Sequence, residues 1–358
     1  MGHKVLHLLG SPTDEFSFSL SLMYARSLAS AKYEEAVDNT NIYAVVHPGG
    51  FWSFTDDITK DEALAGKMCE VTEALAAVRE MSPDLMVQHI LCAKRPLYNA
   101  MFEILNIPFI GSSSQASANI ADKGATRALL LQAGLPVPHG VVVGRGDHCV
   151  RYDGGFPAVV KPCKMENSVG VQIVHNEEEM EEALEEAFAY GDTAVVDAFI
   201  PGREVRCGVI AHHTGEVEAL PCLEYKVAPD SIRCYSDKLE GGDGGVKQAA
   251  STVTWWLDQV EEAELVKTVQ GVAAAAYSVL GCTDFTQIDC RVTSTGQVFV
   301  LEANTFCSFG PLSLMTKLAE RAGIKGGELY ARMVDSAVSR GSKNWEGAAL
   351  RRCGHSGC

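Results

Sequence analysis

The stretch from Gly281 to Thr305, GCTDFTQIDCRVTSTGQVFVLEANT, constrains this chain more than any other. β-Branched and apolar residues alternate with polar ones on either side of a glycine, which predicts two strands joined by a tight turn at Thr295-Gly296. With those two residues as the loop, Ser294 faces Gln297, so Asp289 lies opposite Glu302 and Gln287 opposite Asn304. Alternation then sends Gln287, Asp289, Arg291, Glu302 and Asn304 to one face, and Ile288, Cys290, Val292, Phe299, Leu301 and Ala303 to the other. Two carboxylates opposed at about 5 Å repel each other unless a cation lies between them. Two carboxylates and an amide are hard oxygen donors of the kind Mg²⁺ takes. A loop one residue longer would turn one strand's set to the wrong face, so this ligand set depends on the turn. A surface hairpin with scattered acids is the plain alternative.

The chain has 358 residues, room for two or three domains, and 47% hydrophobic against 21% charged residues is the balance of an ordinary globular protein. A formal charge of −16 and the lack of a long Lys/Arg run argue against general nucleic-acid binding. No apolar stretch approaches the roughly 20 residues that span a bilayer, and Val5 to Leu9 is strand length, so a cytoplasmic protein without a membrane partner is expected. The twelve cysteines are scattered without a CxxC pair, and most read as small buried hydrophobes.

Lys4 to Gly10, Ile42 to Val46 and Asp84 to His89 read as strands alternating with helices at Leu20 to Ala31, Asp61 to Met81 and Pro96 to Leu105, and a short IPFIG strand follows. That order predicts a parallel sheet covered by helices, with ligands at the carboxyl ends of the strands, where Glu15 and His89 fall. Ser114 to Ile120 and Gly124 to Gln132 read as helices with Asp122-Lys123 at their junction. Strands at Phe156 to Pro162 and Thr193 to Ile200, the segment VQIV and an acid-rich helix at Glu177 to Tyr190 predict a small α+β lobe. A hairpin around HHTG follows, and Ala228 to Val253, rich in glycine and charge, reads as a mobile loop of the kind that serves as a lid. Helices are expected at Glu261 to Leu280, Leu312 to Ala322 and Gly327 to Ser339, with a disordered tail over 341–358.

These pieces, LLGSPTDEFSFSL, IPFIGSSSQASANIADK, FPAVVKP with NSVGV, VVDAFIPGREV, CYSDKL, and LGCTDFTQIDC with VFVLEANT and PLSL, resemble the ATP-grasp superfamily over residues 4–338, and within it the D-alanine–D-alanine ligases. The resemblance implies an N-terminal α/β substrate domain over 1–110 with a parallel sheet, then two α+β lobes, 111–196 and 197–340, that clamp ATP. It implies an ATP-dependent carboxylate–amine ligase that makes an amide through an acylphosphate and releases ADP and phosphate. ATP and Mg²⁺ are the implied cofactors, two ions in number, with Mn²⁺ as the alternative metal. Small amino-acid or amino-acid-like molecules are the implied partners, and a homodimer stays open.

By the same resemblance Asp289, Glu302 and Asn304 hold the metal, the set the hairpin register gives on its own. Lys123, Lys161, Asp197, Phe199, Ile200, Glu204 and Leu301 fall to the nucleotide, and Lys238 in the lid to the γ-phosphate and catalysis. Glu15 matches the acid that meets the first substrate's ammonium and is counted with the catalytic residues. His89 matches a histidine near its carboxylate, and Ser313 a serine at a helix start that holds the second substrate. The chain departs from the family at Asn167 (a loop serine), Leu239 (a tyrosine), Gln287 (an arginine that supports the tetrahedral intermediate) and Ser308 (a glycine). Arg291, on the face of Gln287, is the first candidate to replace that arginine, with Lys164 or Arg206 as others. These departures imply a first substrate other than plain D-alanine. Two alternatives stand beside dipeptide formation: a mycosporine-type ligase joining an amino acid to a small metabolite, and an ATP-binding protein that no longer ligates.

Overall fold

Strands buried on both faces read as continuous apolar runs, and VLHLLG is such a run: Val5, Leu6, Leu8 and Leu9 have no exposed surface. The structure, a computed structural model, describes residues 2–31, 33, 39–64, 66–147, 152–212, 214–228, 230–233 and 254–353. The chain divides into two units: residues 1–114 with 211–216 and 306–358, and residues 115–210 with 217–305. This is a different partition from the three-domain expectation. The boundary expected between 196 and 197 falls inside a strand hydrogen-bonded along its length to its neighbour, and the C-terminal helices belong with the N-terminal sheet.

In the first unit, β1 (Lys4–Gly10) pairs in parallel with β2 (Thr40–Val46) and β4 (Leu85–Gln88). The antiparallel β3 (Trp52–Thr55) completes the order β3-β2-β1-β4. Asp14 caps α1 (Glu15–Ser30) by accepting from Ser17 N at 2.7 Å, which starts the helix directly past the carboxyl end of β1. The helix expected over Asp61 to Met81 is two, α2 (Asp61–Leu64) and α3 (Val71–Met81). Cys69 between them pairs through its backbone with buried Trp52, at 2.9 and 2.8 Å, and that bridge interrupts the helix. IPFIG contributes one bridge, Met86 to Phe109, rather than a strand. Phe102 of α4 (Arg95–Leu105) joins Leu6, Leu8, Trp52 and Met86 in the core, each such side chain stabilising by roughly 1.5–3 kcal/mol. α9 (Leu314–Arg321) and α10 (Gly326–Cys353) close this unit; the last helix runs on past Gly341, where the tail was expected to lose structure.

The second unit opens with α5 (Ser114–Ala121) and α6 (Lys123–Gln132), and carries two sheets. The first has the order β5 (Gly140–Gly144), β8 (Thr193–Ala198), β6 (Ala158–Pro162), β7 (Gln172–Val174). Ala158, Val160, Ala194 and Val196 pack beneath α7 (Glu177–Phe188), so alternation turns Val159, Lys161, Val195 and Asp197 to the opposite face. The second sheet runs β11 (Thr254–Trp256), β10 (Val217–Tyr225), β9 (Arg203–Ala211), β12 (Phe285–Val292), β13 (Val298–Asn304), with α8 (Ala263–Val279) packed against it.

The β12–β13 hairpin pairs Asp289 with Glu302 and Gln287 with Asn304. Its turn is not the expected one. Thr293 N bonds Gln297 O at 2.9 Å, so the loop is the three residues Ser294-Thr295-Gly296. Arg291 therefore faces Phe299 and Cys290 faces Val300, one step out of the expected register. A bulge between Cys290 and Asp289 leaves Leu301 as the extra residue and restores the pairing from Asp289 onward. Leu301, assigned by strict alternation to the core face, lines the cavity instead.

Candidate active site

The free faces of both sheets of the second unit line one cavity. Lys161 and Asp197 come from the first sheet, Glu204, Asp289, Arg291 and Glu302 from the second, and Phe199 and Ile200 from the segment between β8 and β9. On the first wall Lys161 Nζ donates to Asp197 Oδ2 at 2.7 Å, and Arg127 Nη1 to Oδ1 at 3.0 Å. Lys161 and Arg127 side chains are each 11% exposed and Asp197 6%, so the carboxylate is buried between two cations. Arg127 also donates to Gly140 O at 2.9 Å. A side chain at Gly140 would place its Cβ 2.2 Å from Val196 O and 2.5 Å from Asp197 Oδ1, so glycine is what lets β5 approach this closely.

Lys123 is the first residue of α6. Asp122 caps that helix from Gly124 N at 2.9 Å and Ala125 N at 3.1 Å, which fixes where the lysine emerges. Its Nζ donates to Met165 O and stands 3.6 Å from Glu302 Oε2. On the floor, the ladder sets Asp289 opposite Arg206 and Arg291 opposite Glu204. Arg206 bonds both Asp289 oxygens, while Glu204 is met by Arg233 at 3.5 Å and Arg291 at 3.9 Å. Six cationic side chains (Lys123, Arg127, Lys161, Arg206, Arg233, Arg291) thus surround four carboxylates, a positive surplus in a chain of net charge −16. A polyanion is the ligand such a surplus suits.

Arg291, expected to stand in for an arginine at 287, makes its contacts elsewhere. Its Nε donates to Ile200 O at 3.1 Å, its Nη2 to Ser231 O at 2.6 Å, and its guanidinium lies 5.3 Å from the Phe199 ring centroid. Burial pushes its pKa down, with Glu204 opposing. These contacts tie it to the segment from Phe199 to Glu204, because the strand partner of Arg291 is Glu204. The Gln287 amide oxygen is taken by Arg206 Nη1 at 3.2 Å, and Lys164, mostly exposed, stands 3.7 Å from Asp122.

Among the described residues no three His, Cys, Asp or Glu side chains converge as a metal site. The candidate set here is two carboxylates and an amide on alternate rungs of β12 and β13: Asp289, Glu302 and Asn304. Both carboxylates have drawn a cationic side chain, Arg206 to Asp289 and Lys123 to Glu302, so this face demands positive charge. Hard oxygen donors with that demand fit Mg²⁺.

Of the remaining sequence candidates, Glu15, His89, Ser308 and Ser313 lie in the first unit. Glu15 is exposed at the start of α1. His89 is fully buried, its Nε2 3.2 Å from His7 Nδ1, and its own Nδ1 makes no hydrogen bond. Ser308 is buried with its hydroxyl unpaired, and Ser313 Oγ lies 3.3 Å from Cys307 Sγ at the start of α9. Asn167, in the second unit, is exposed at φ 58°, while the adjacent Ser168 faces the cavity. Lys238 and Leu239 lie outside the described residues. The sequence reading passed over Arg127, Ser168 and Arg233; for Arg127 a signal exists, since it follows Lys123 by one helical turn.

Two sheets facing one cavity, with a lysine–aspartate wall on one and an acidic β-ladder on the other, are what the ATP-grasp resemblance implies. A family model described as D-ala D-ala ligase C-terminus matches residues 129–335. The chain is 34% identical over 238 residues to a D-alanine–D-alanine ligase of Citrifermentans bemidjiense, covering 66% of this chain and 72% of that one. A second, from Mycobacterium sp. strain KMS, is 31% identical over 274 residues, covering 75% and 72%. The fold is that of the D-alanine–D-alanine ligase of Coxiella burnetii, with a TM-score of 0.75 at 20% identity over 98% of each chain. It is equally that of the Bacillus anthracis ligase solved with ATP, at 0.69 and 19% over 95% and 99%. The chain belongs to the D-alanine–D-alanine ligase family: it is an enzyme that uses ATP to form a C–N bond. Among the described residues no helix is long and apolar enough to cross a membrane.

Proposed function

We propose that this ligase joins the carboxylate of one small amino-acid-like substrate to the amine of a second, and that its first substrate is not plain D-alanine. One observation carries the reading: Lys161–Asp197 and the carboxylates Asp289 and Glu302 border a single cavity, so a nucleotide's base end and its phosphates can be held together. Phosphoryl transfer asks chiefly for positioning and neutralised charge. Asp197, Phe199, Ile200, Glu204 and Leu301 hold the base and sugar, while Lys123 and Lys161 meet the phosphates. Asp289, Glu302 and Asn304 hold Mg²⁺, as two ions, with Mn²⁺ able to take their place. The metal supplies Lewis-acid polarisation of the phosphoryl oxygens. The γ-phosphoryl group passes to the substrate carboxylate with release of ADP, and the deprotonated amine attacks the acylphosphate carbon, expelling phosphate. Lys238, which lies outside the described residues, is assigned to the γ-phosphate. A cytoplasmic setting suits a reaction that consumes ATP.

A second reading has its own support. His89 is buried and uncharged, its pKa held down by burial and by His7, so it brings no positive charge to a carboxylate. That favours a first substrate without a carboxylate at this point, as in condensation of an amino acid onto a small carbonyl-bearing metabolite of the mycosporine type. Incubation with ATP, Mg²⁺ and a panel of amino acids and such metabolites, followed by phosphate assay and mass spectrometry of the products, tests both. Phosphate release that needs two substrates and yields their amide or imine adduct is expected. No release above background with any pair would make the chain an ATP-binding protein without ligase activity.

A further inference from the structure

Arg206 was among the candidates for the charge missing at Gln287, and three contacts single it out. It stands on β9 opposite Asp289, and its Nε and Nη2 bond the two carboxylate oxygens. Its Nη1 donates to Gln287 Oε1 at 3.2 Å. Its guanidinium lies 5.3 Å from the Tyr225 ring centroid, with 12% of the side chain exposed. Burial works against its charge, but Asp289 and then Tyr225 outweigh burial and raise its pKa, so the charge is permanent. Fork-to-fork pairing of this kind fixes orientation as well as charge, which a lysine would not do.

The ladder also explains why residue 287 is glutamine here. Arg206 is the rung partner of Asp289, and Gln287 sits two residues further along the same strand, on the same face. An arginine at 287 beside Arg206 would set two guanidiniums on one diagonal, and like charges there are destabilising. Glutamine instead offers Arg206 an acceptor. The positive charge has moved one strand over, from β12 to β9.

We propose that Arg206 is the positioning residue of the metal face: it competes with a divalent cation for Asp289 and supplies the fixed positive charge beside Gln287. The proposal rests on the ligase reading for its kinetic consequence, but not for its metal-binding one. A carboxylate has about four lone-pair sites, so Asp289 can hold the guanidinium and a metal at once, though the two cations repel. When a metal draws on Asp289, the Gln287 oxygen remains as the acceptor that keeps Arg206 in place.

The test is Mn²⁺ titration of the nucleotide-free full chain, followed by its paramagnetic effect on water relaxation, in wild type, R206Q, Q287R and the exchange R206Q/Q287R. With the repelling cation gone, R206Q should bind Mn²⁺ about tenfold more tightly. Its kcat should fall on the order of a hundredfold, as when one charged donor is removed from a reacting site. Q287R, which leaves Asp289 its partner and adds a cation, should weaken Mn²⁺ binding. The exchange should return both quantities towards wild type. A merely structural Arg206 would lower the denaturation midpoint and weaken metal and turnover together. Mn²⁺ affinity unchanged or weaker in a folded R206Q, or unchanged in Q287R should R206Q not fold, overturns the proposal, as does an exchange variant that recovers nothing. A wild type that turns over no substrate pair would sink the ligase reading while leaving the Mn²⁺ comparison intact.

Discussion

In the second unit, charge is buried by pairing: Asp197 sits between Lys161 and Arg127, Asp289 beneath Arg206, and Glu204 between Arg233 and Arg291. In the first unit, His7 and His89 are buried as deeply, stacked on each other with ring centroids 5.5 Å apart. Burial pushes His7 down to about 4, and His89, burdened by burial and by His7, goes well below its ordinary value. The two solutions leave different resources for a ligand. A paired carboxylate keeps its charge and can exchange one cation for another, whereas a neutralised imidazole offers only a hydrogen bond. On the proposed reading the nucleotide and metal belong with the first cluster, and any substrate meeting His89 has to be recognised without charge.

The sharpest way to break the pairing is Asp197→Asn. It leaves Lys161 and Arg127, each 11% exposed, without their carboxylate. Uncompensated buried charge typically destabilises by about 3–5 kcal/mol, and that loss is expected in urea denaturation. Lys161→Met, which leaves Arg127 on Asp197, should lose distinctly less. Equal losses would mean that packing around β6 and β8, rather than charge balance, holds this wall.

For the histidines the lever is pH. His7 titrates at about 4 in the folded chain and at its ordinary 6.5 when unfolded, so in that window the unfolded chain binds the extra proton. Stability therefore falls as pH drops from 6.5 towards 4, by up to about 3 kcal/mol for this residue, and is unaffected by it above pH 7. His7→Gln keeps a polar group beside Asn41 and removes that titration. Denaturation midpoints at pH 7.5 and 5.0 should converge in the variant relative to wild type. A wild-type pH slope equal to that of His7→Gln would show that the imidazoles are in contact with water after all.

The two clusters were not equally legible. Asp289 opposite Glu302 follows from alternation along two short strands, although the three-residue loop and the bulge at Leu301 behind it do not; each shifts the register by one and they cancel. A polar residue at an alternating position in a strand announces its face, and Lys161 and Asp197 do so. Their partners do not: Arg127 lies 70 residues before Asp197, and Arg206 lies 83 before Asp289, and sequence carries no local trace of contacts at that distance. The same holds for the histidine pair, since His89 and His7 are 82 residues apart and only the parallel pairing of β1 with β4 brings them together. The break between α2 and α3 was hidden likewise, because Cys69 leaves helix to satisfy Trp52 on a strand the sequence pattern did not reveal.

The smallest effect is expected at Arg291, and it sharpens the comparison within the pocket. Its pKa is pushed down by burial, which means its charge is held against a penalty, and Glu204 keeps Arg233 at 3.5 Å if Arg291 is removed. Arg291→Met, similar in length, gives up the bonds to Ile200 O and Ser231 O but also lifts a buried charge. Replacement of a buried ion by a well-packed apolar chain is often near neutral, so stability should change by no more than about 1 kcal/mol. Because its contacts are with the segment carrying Phe199 and Ile200, the variant should raise the KM for ATP by less than about tenfold and leave kcat in place. A lowered kcat at unchanged KM would return Arg291 to the chemical step, with its charge acting beside Asp289 during turnover rather than at the Phe199–Ile200 segment it contacts here.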